Sequence, residues 1–138
     1  MGGRKLSAIF LDTHAWAWLL NNSARLSARA TQTVRGASEV FLSPISFFEI
    51  GQKVRLGKWP EMEPFSERLP ALLQEQGGKV AILTDEICLR AGLMNWPHRD
   101  PFDRLIAATA ITARIVLVSA DAIFDGLADV PGWRGRVW

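Results

Sequence analysis

Short apolar runs, each closed by a polar or turn-forming residue, alternate along this chain with stretches of helical spacing. AIFLD (8–12) reads as a buried strand and leads into THAWAWLLNN, whose spacing is helical and which stops on two asparagines. LSARATQTVRGA suits a helix that begins at Ser27 and ends near Gly36. EVFLSP (39–44) predicts a second strand, and ISFFEIGQKVRLG a helix that stops at Gly57. PFSERLPALLQEQGG is helical up to Gly77 and Gly78, with Pro70 dividing it into shorter pieces. KVAILT (79–84) predicts a third strand and DEICLRAGLM a helix. Asp100 followed by Pro101 opens the next helix, through LIAATA. IVLVSAD (115–121) is the most strand-like run, and a short helix at AIFDGL and a last strand at GRVW complete the series. Strands alternating with helices imply an α/β fold, a three-layer α/β/α arrangement around a mainly parallel sheet of about five strands. In such sheets ligands bind beyond the carboxyl ends of the strands, where the strand order reverses.

Length and composition narrow this picture without changing it. The 138 residues fit one domain, 1–138, and 49% hydrophobic with 22% charged residues excludes a disordered chain. One cysteine, Cys88, rules out an internal disulfide and fits a reducing compartment. MGGRKLSAIFLD is too short in apolar residues for a secretion signal, and LIAATAITARIVLV, broken by Arg114, is too short to span a bilayer. The expectation is a cytoplasmic protein without a membrane partner. The net charge of +2 conceals an asymmetry. If four of the 14 acids share one site, ten remain to face 16 basic residues across the rest of the surface. An acidic centre within a basic surface suits a metal-using enzyme acting on a polyanion.

The strands AIFLD and IVLVSAD both end on an aspartate, Asp12 and Asp121. Each is a good helix N-cap taken alone; together they put two carboxylates at the functional edge of the sheet. Glu49 lies among Phe47, Phe48 and Ile50, where an ionised side chain needs a partner. That partner is either Lys53, one turn on in the favourable orientation, or a ligand. Ser46, one turn earlier, shares the Glu49 face. Asp100 caps the helix that Pro101 begins, whereas Asp103 lies in its first turn and points past the helix end towards the sheet. Carboxylates held about 5 Å apart repel by roughly 3 kcal/mol per pair at an effective dielectric near 20. They must protonate, separate or hold a cation. With oxygen ligands and no Cys/His cluster, that cation is Mg²⁺ or Mn²⁺.

In order and approximate spacing, FLDTHAWAWLL, SPISFFEIGQKVRLGK, HRDPFDRLIAATA and VLVSADAIF resemble the PIN-domain ribonucleases, and among them the VapC-type toxins of bacterial toxin–antitoxin pairs. The likeness runs from Ile9 to about Phe124. It implies that Asp12, Glu49, Asp103 and Asp121 form the catalytic and metal-binding set of a Mg²⁺/Mn²⁺-dependent endoribonuclease, which cleaves RNA phosphodiesters with a metal-activated water. It also implies a five-stranded parallel sheet, a homodimer and inhibition by a small antitoxin protein. Thr13 and Ser46 match positions that support the metal site. Ser119 stands where many relatives carry threonine and keeps the hydroxyl. The alternative is a catalytically inactive PIN-like module that binds RNA or protein. A phosphohydrolase with an aspartyl nucleophile is disfavoured, because FLDTH lacks a second aspartate two residues after Asp12.

The remaining candidates bear on substrate and partner. Trp16 and Trp18 fall on roughly opposite sides of one helix, so one faces a core and the other a groove or interface. Trp59, between a helix stop and a proline, either caps the core or stands exposed and joins an antitoxin groove. His98, Arg99 and Arg104 are candidate substrate contacts, with Arg134 and Arg136 as further phosphate-binding candidates. His14 lacks any nucleophile–His–acid arrangement. Cys88, inside an apolar helix, is expected in the core.

Overall fold

The computed structural model describes residues 7–138; the secretion-signal reading of the N-terminus rests partly on residues 1–6, which lie outside them. Five strands, β1 (Ile9–Leu11), β2 (Val40–Leu42), β3 (Lys79–Val80), β4 (Val116–Val118) and β5 (Arg136–Val137), form one sheet in the order β3-β2-β1-β4-β5. Every pairing is parallel. The order reverses at β1, so the crevice between the ends of β1 and β4 is where the two halves of the sheet diverge.

Six α-helices cover both faces: α1 (Thr13–Leu20), α2 (Ala28–Gly36), α3 (Pro44–Arg55), α4 (Leu69–Glu75), α5 (Asp85–Leu93) and α6 (Pro101–Ala113). Two short 3-10 helices, Pro60–Phe65 and Ala122–Leu127, complete the elements among the described residues. Helix starts follow local chemistry. The side chains of Ser27, Ser43, Thr84 and Asp100 each accept a hydrogen bond from a backbone N–H in the first turn that follows. Stops follow it too: Gly57 after α3 and Gly77 after α4 take positive φ, 71° and 80°, which glycine adopts without a steric penalty.

Strand alternation sorts the core into two layers. Ile9, Leu11, Leu42 and Val118 pack with Trp16, Ile50, Met62, Leu69 and Leu73 on one face. Phe10 and Leu117 pack with Ile106, Ala107, Ala110, Phe124 and Leu127 on the other. All three residues of β1 are buried, as the centre of a doubly covered sheet requires.

The structure corrects the third strand. KVAILT pairs only through Lys79 and Val80, with Ala81 N–H donating one last bond to the Leu42 carbonyl. Its partner β2 has by then turned into α3 at Ser43 and Pro44, so among the described residues nothing remains for residues 82–84 to pair with, and Ile82 is 79% exposed. Among the described residues no helix is long and apolar enough to cross a membrane.

Candidate active site

Asp12 is the first residue past β1 and caps α1. Because Leu11 pairs with Val118, the residues one step further along, Asp12 and Ser119, meet at the sheet edge. Asp12 Oδ1 accepts the Thr13 N–H at 2.7 Å, and Oδ2 accepts the Ser119 hydroxyl at 2.7 Å. Ser119 Oγ in turn accepts the Asp121 N–H at 3.0 Å, so one hydroxyl links both strand-end aspartates. Asp121 is exposed and caps the second 3-10 helix through Ile123 N–H. On the α3 side, Thr13 and Ser46, both fully buried, share a 2.7 Å hydroxyl–hydroxyl bond that ties the first turn of α1 to that of α3. Glu49 follows one turn after Ser46 and is 5% exposed. Asp103 opens α6, its N–H bonded to the Asp100 carboxylate at 3.1 Å and its own Oδ2 2.6 Å from His98 Nε2.

Asp12, Glu49, Asp103 and Asp121 line one cleft of about 550 Å³, together with His14, Trp18, Lys53 and His98. A larger cavity of about 630 Å³ lies elsewhere, against α5, lined mainly by apolar residues such as Leu89, Leu93 and Val130. Among the described residues its ionisable lining is limited to Glu86 and Arg90, so the chemistry belongs to the smaller cleft. Burial pushes the Asp12 carboxyl up to about 7, against the pull of the Ser119 hydroxyl, and the charges of Asp103 and Glu49 push the same way. Burial also raises Asp103, partly offset by its bond to His98, with Asp100 and Glu49 adding to the rise. His14 is lowered, first by burial and then by the Lys53 charge, which leaves its ring neutral at pH 7.

The donor set fits a hard divalent cation: carboxylate oxygens, those of Asp12 and Glu49 buried and those of Asp121 exposed, with Asp12 pushed up by the charges of Asp103 and Glu49 and only partly ionised at neutral pH. Two other side chains already touch it. Lys53 Nζ lies 2.7 Å from Glu49 Oε2, and His98 holds Asp103. Among the described residues, no three Asp, Glu, His or Cys side chains close on one point tightly enough to form a ready-made metal cage.

The PIN-domain sequence profile matches residues 9–130, a span that holds all four carboxylates and all but the last strand of the sheet. The chain belongs to the PIN-domain family. Ribonuclease VapC22 of Mycobacterium tuberculosis is 31% identical to it over 122 residues, 84% of this chain and 88% of that protein, which places this PIN domain among its VapC-type members. The structure of VapBC2 from Rickettsia felis, bound to a DNA fragment from its promoter, superposes with a TM-score of 0.63 at 13% identity. That match covers 95% of this chain and 99% of the other. FitAB bound to the IR36 DNA fragment gives 0.58 at 22% identity, covering 89% and 92%. At these identities the likeness is one of fold.

Several residues of this PIN domain do something other than the sequence suggests. Arg104 turns away from any substrate: its guanidinium donates to the carbonyls of Ala91, Gly92, Met94, Trp96 and His98, bracing the chain between α5 and α6. Arg136 is committed to Asp125 and to the Ser119 carbonyl, and Arg134 lines a separate cavity near Arg114. Arg99 is exposed. Trp59 is 8% exposed and packs in the core with only an edge at the neighbouring cavity, because His14 stacks on it at 4.6 Å and Lys53 Nζ lies 5.4 Å from its ring centre. Cys88 is exposed, since α5 packs on α6 through Ile87 and Ala91 and leaves Cys88 and Leu89 outside. Of the tryptophan pair, Trp16 is the core residue, its indole N–H donating to Gln76, and Trp18 lines the cleft. Arg25 and Lys58, which share a cavity with His14 and Trp18 beside this cleft, carry no signal in the sequence, since each stands outside any helix or strand and in no local motif.

Proposed function

We propose that this chain is a Mg²⁺- or Mn²⁺-dependent endoribonuclease and the toxin of a toxin–antitoxin pair. One observation carries the reading: four acids from β1, α3, α6 and the end of β4 line a single cleft at the switch point of the sheet. Asp12, Glu49, Asp103 and Asp121 would hold the cation. Bound there, it would activate water and balance the charge developing on a scissile phosphodiester.

The chain's own residues prepare that site. Ser119 and the Thr13 N–H hold both oxygens of Asp12 in place, favouring its ionised form against burial. The Thr13–Ser46 bond fixes α3 so that Glu49 stays at the cleft. Lys53 and His98 keep Glu49 and Asp103 extended into it, and His98 lies where a substrate phosphate would approach. Kinship to VapC22, a ribonuclease by name, and fold likeness to VapBC2 and FitAB, both solved on DNA, support the toxin reading and a protein antitoxin as partner. A single domain over 1–138, a homodimer and a cytoplasmic location belong to the same reading.

The test is cleavage of a mixed RNA pool by the purified protein with Mn²⁺, Mg²⁺ or EDTA. Metal-dependent internal cuts are expected. Cleavage that persists in EDTA, or its absence with either ion, overturns the reading. The pairing of Glu49 with Lys53 and of Asp103 with His98 favours a second reading, an inert PIN module. Mn²⁺ titration separates the two, because an inert module neither binds the ion nor cleaves.

A further inference from the structure

Beside the acidic cleft lies a second cavity of about 310 Å³ that shares His14, Trp18 and Lys53 with it. Arg25, Lys58, Glu61 and Trp59 complete its lining. Three rings form one wall: the His14 imidazole stacks on Trp59 at 4.6 Å and 28°, and meets Trp18 at 5.7 Å and 60°. Trp18 is half-buried and lines both cavities. Arg25 and Lys58 are exposed, and neither enters an ion pair among the described residues. Lys53 is offset by Glu49, so the unpaired charges are these two cations against Glu61.

A polyanion cannot approach four carboxylates on its own charge. It needs cations on the flank of the site, and aromatic faces there let bases stack whatever their sequence. We propose that this basic, aromatic pocket binds one nucleotide of single-stranded RNA next to the phosphodiester at the carboxylates, with its base against Trp18 and its phosphate between Arg25 and Lys58. The inference rests on the nuclease reading above and goes further, naming the residues that position the strand. An acidic peptide would use the two cations but leave the aromatic wall idle, so the lining favours RNA.

The probe is a short, fluorescein-labelled single-stranded RNA of mixed sequence, followed by anisotropy across a salt series. The Asp103→Asn background with Mg²⁺ present prevents cleavage. Trp18→Leu, which keeps apolar volume but removes the ring face, should weaken binding about tenfold, and Trp18→Phe should restore most of it. Arg25→Gln with Lys58→Gln, both at exposed positions, should lower the slope of log affinity against log salt by about 0.7, the share of the one phosphate they hold. In the cleaving protein the same changes should raise KM more than they lower kcat. Unchanged affinity and salt slope in all these variants overturns the pocket assignment, even if Mn²⁺-dependent cleavage is intact. Wild-type protein that binds the RNA with these dependences but never cleaves it overturns the nuclease reading and upholds the pocket. Hexaglutamate binding that needs Arg25 and Lys58, with no RNA binding, would assign the pocket to a protein partner instead and overturn the proposal.

Discussion

Replacing Asp12 by asparagine isolates the cost of holding a carboxylate where this one lies. The residue is 5% exposed, and its pKa rises from 3.8 to about 7. A carboxyl raised on folding binds more protons folded than unfolded between those two values, so the protein loses stability as pH climbs from about 4 through 7. At about 1.4 kcal/mol for each factor of ten in the ionisation constant, ionised Asp12 withholds about 4 kcal/mol above pH 7 and about 1.5 kcal/mol at pH 5. Asparagine keeps the shape and sheds the charge. Its oxygen can still accept the Thr13 N–H, while Ser119 must turn from donor to acceptor, which costs about 1 kcal/mol. The metal-free Asp12→Asn protein should therefore be more stable than the parent by about 3 kcal/mol at pH 8, and by less than about 1 kcal/mol at pH 5. Urea denaturation in EDTA at both pH values measures this. With Mn²⁺ at about 100 times its dissociation constant the parent should gain about 2.7 kcal/mol and the variant nothing. A variant less stable than the parent at pH 8, or a difference that ignores pH, would refute the reasoning.

Asp103→Asn should abolish metal-dependent RNA cleavage with an unchanged circular dichroism spectrum, because its contacts at the helix start can be kept by an amide; full activity would remove Asp103 from the mechanism. Ser119→Ala deletes the hydroxyl that draws the Asp12 pKa down, so Mn²⁺ affinity by calorimetry should fall about tenfold at pH 7 and recover at higher pH, where Asp12 ionises regardless. Arg104→Ala leaves the carbonyls between α5 and α6 without their shared donor and should cost about 2–4 kcal/mol in urea. Arg104→Lys should recover little, since an ammonium lacks the planar fork. Ile50→Ala, adjacent to Glu49 but packed in the core, should cost about 2–5 kcal/mol of stability and leave Mn²⁺ affinity alone.

Much of the scaffold is written locally. Asp100 and Pro101 start α6, Ser43 and Pro44 start α3, and Ser27 and Thr84 start α2 and α5, each through a hydrogen bond to a backbone N–H within three residues. The two strands that end on Asp12 and Asp121 are visible as apolar runs, and the four acids stand out because a carboxylate at a strand end or among phenylalanines needs a reason. The N-cap role and the cleft position turn out to be compatible: Asp12 and Asp121 cap the elements that follow them and still line the cleft. Glu49 likewise has both its Lys53 partner and its place at the site.

Trp59, Cys88 and Arg104 show where local reading ends. A helical period marks a face as apolar without saying whether anything covers it. Among the described residues nothing covers Cys88 and Leu89 on α5, whereas His14 and Lys53 arrive from elsewhere to cover Trp59. Arg104 resembled a phosphate ligand until the loop before α6 folded its carbonyls around the guanidinium. The strand order, too, lies beyond any window of sequence, and it is what sets Asp12 beside Ser119, 107 residues away. Caps, stops and strand runs are decided by forces that act within a few residues, so the sequence alone determined the elements and nominated the acids. Desolvation and charge coupling depend on which distant groups come to lie alongside, so only the tertiary structure decided that Asp12 is buried, pushed up to about 7, and open to a cleft flanked by Arg25 and Lys58.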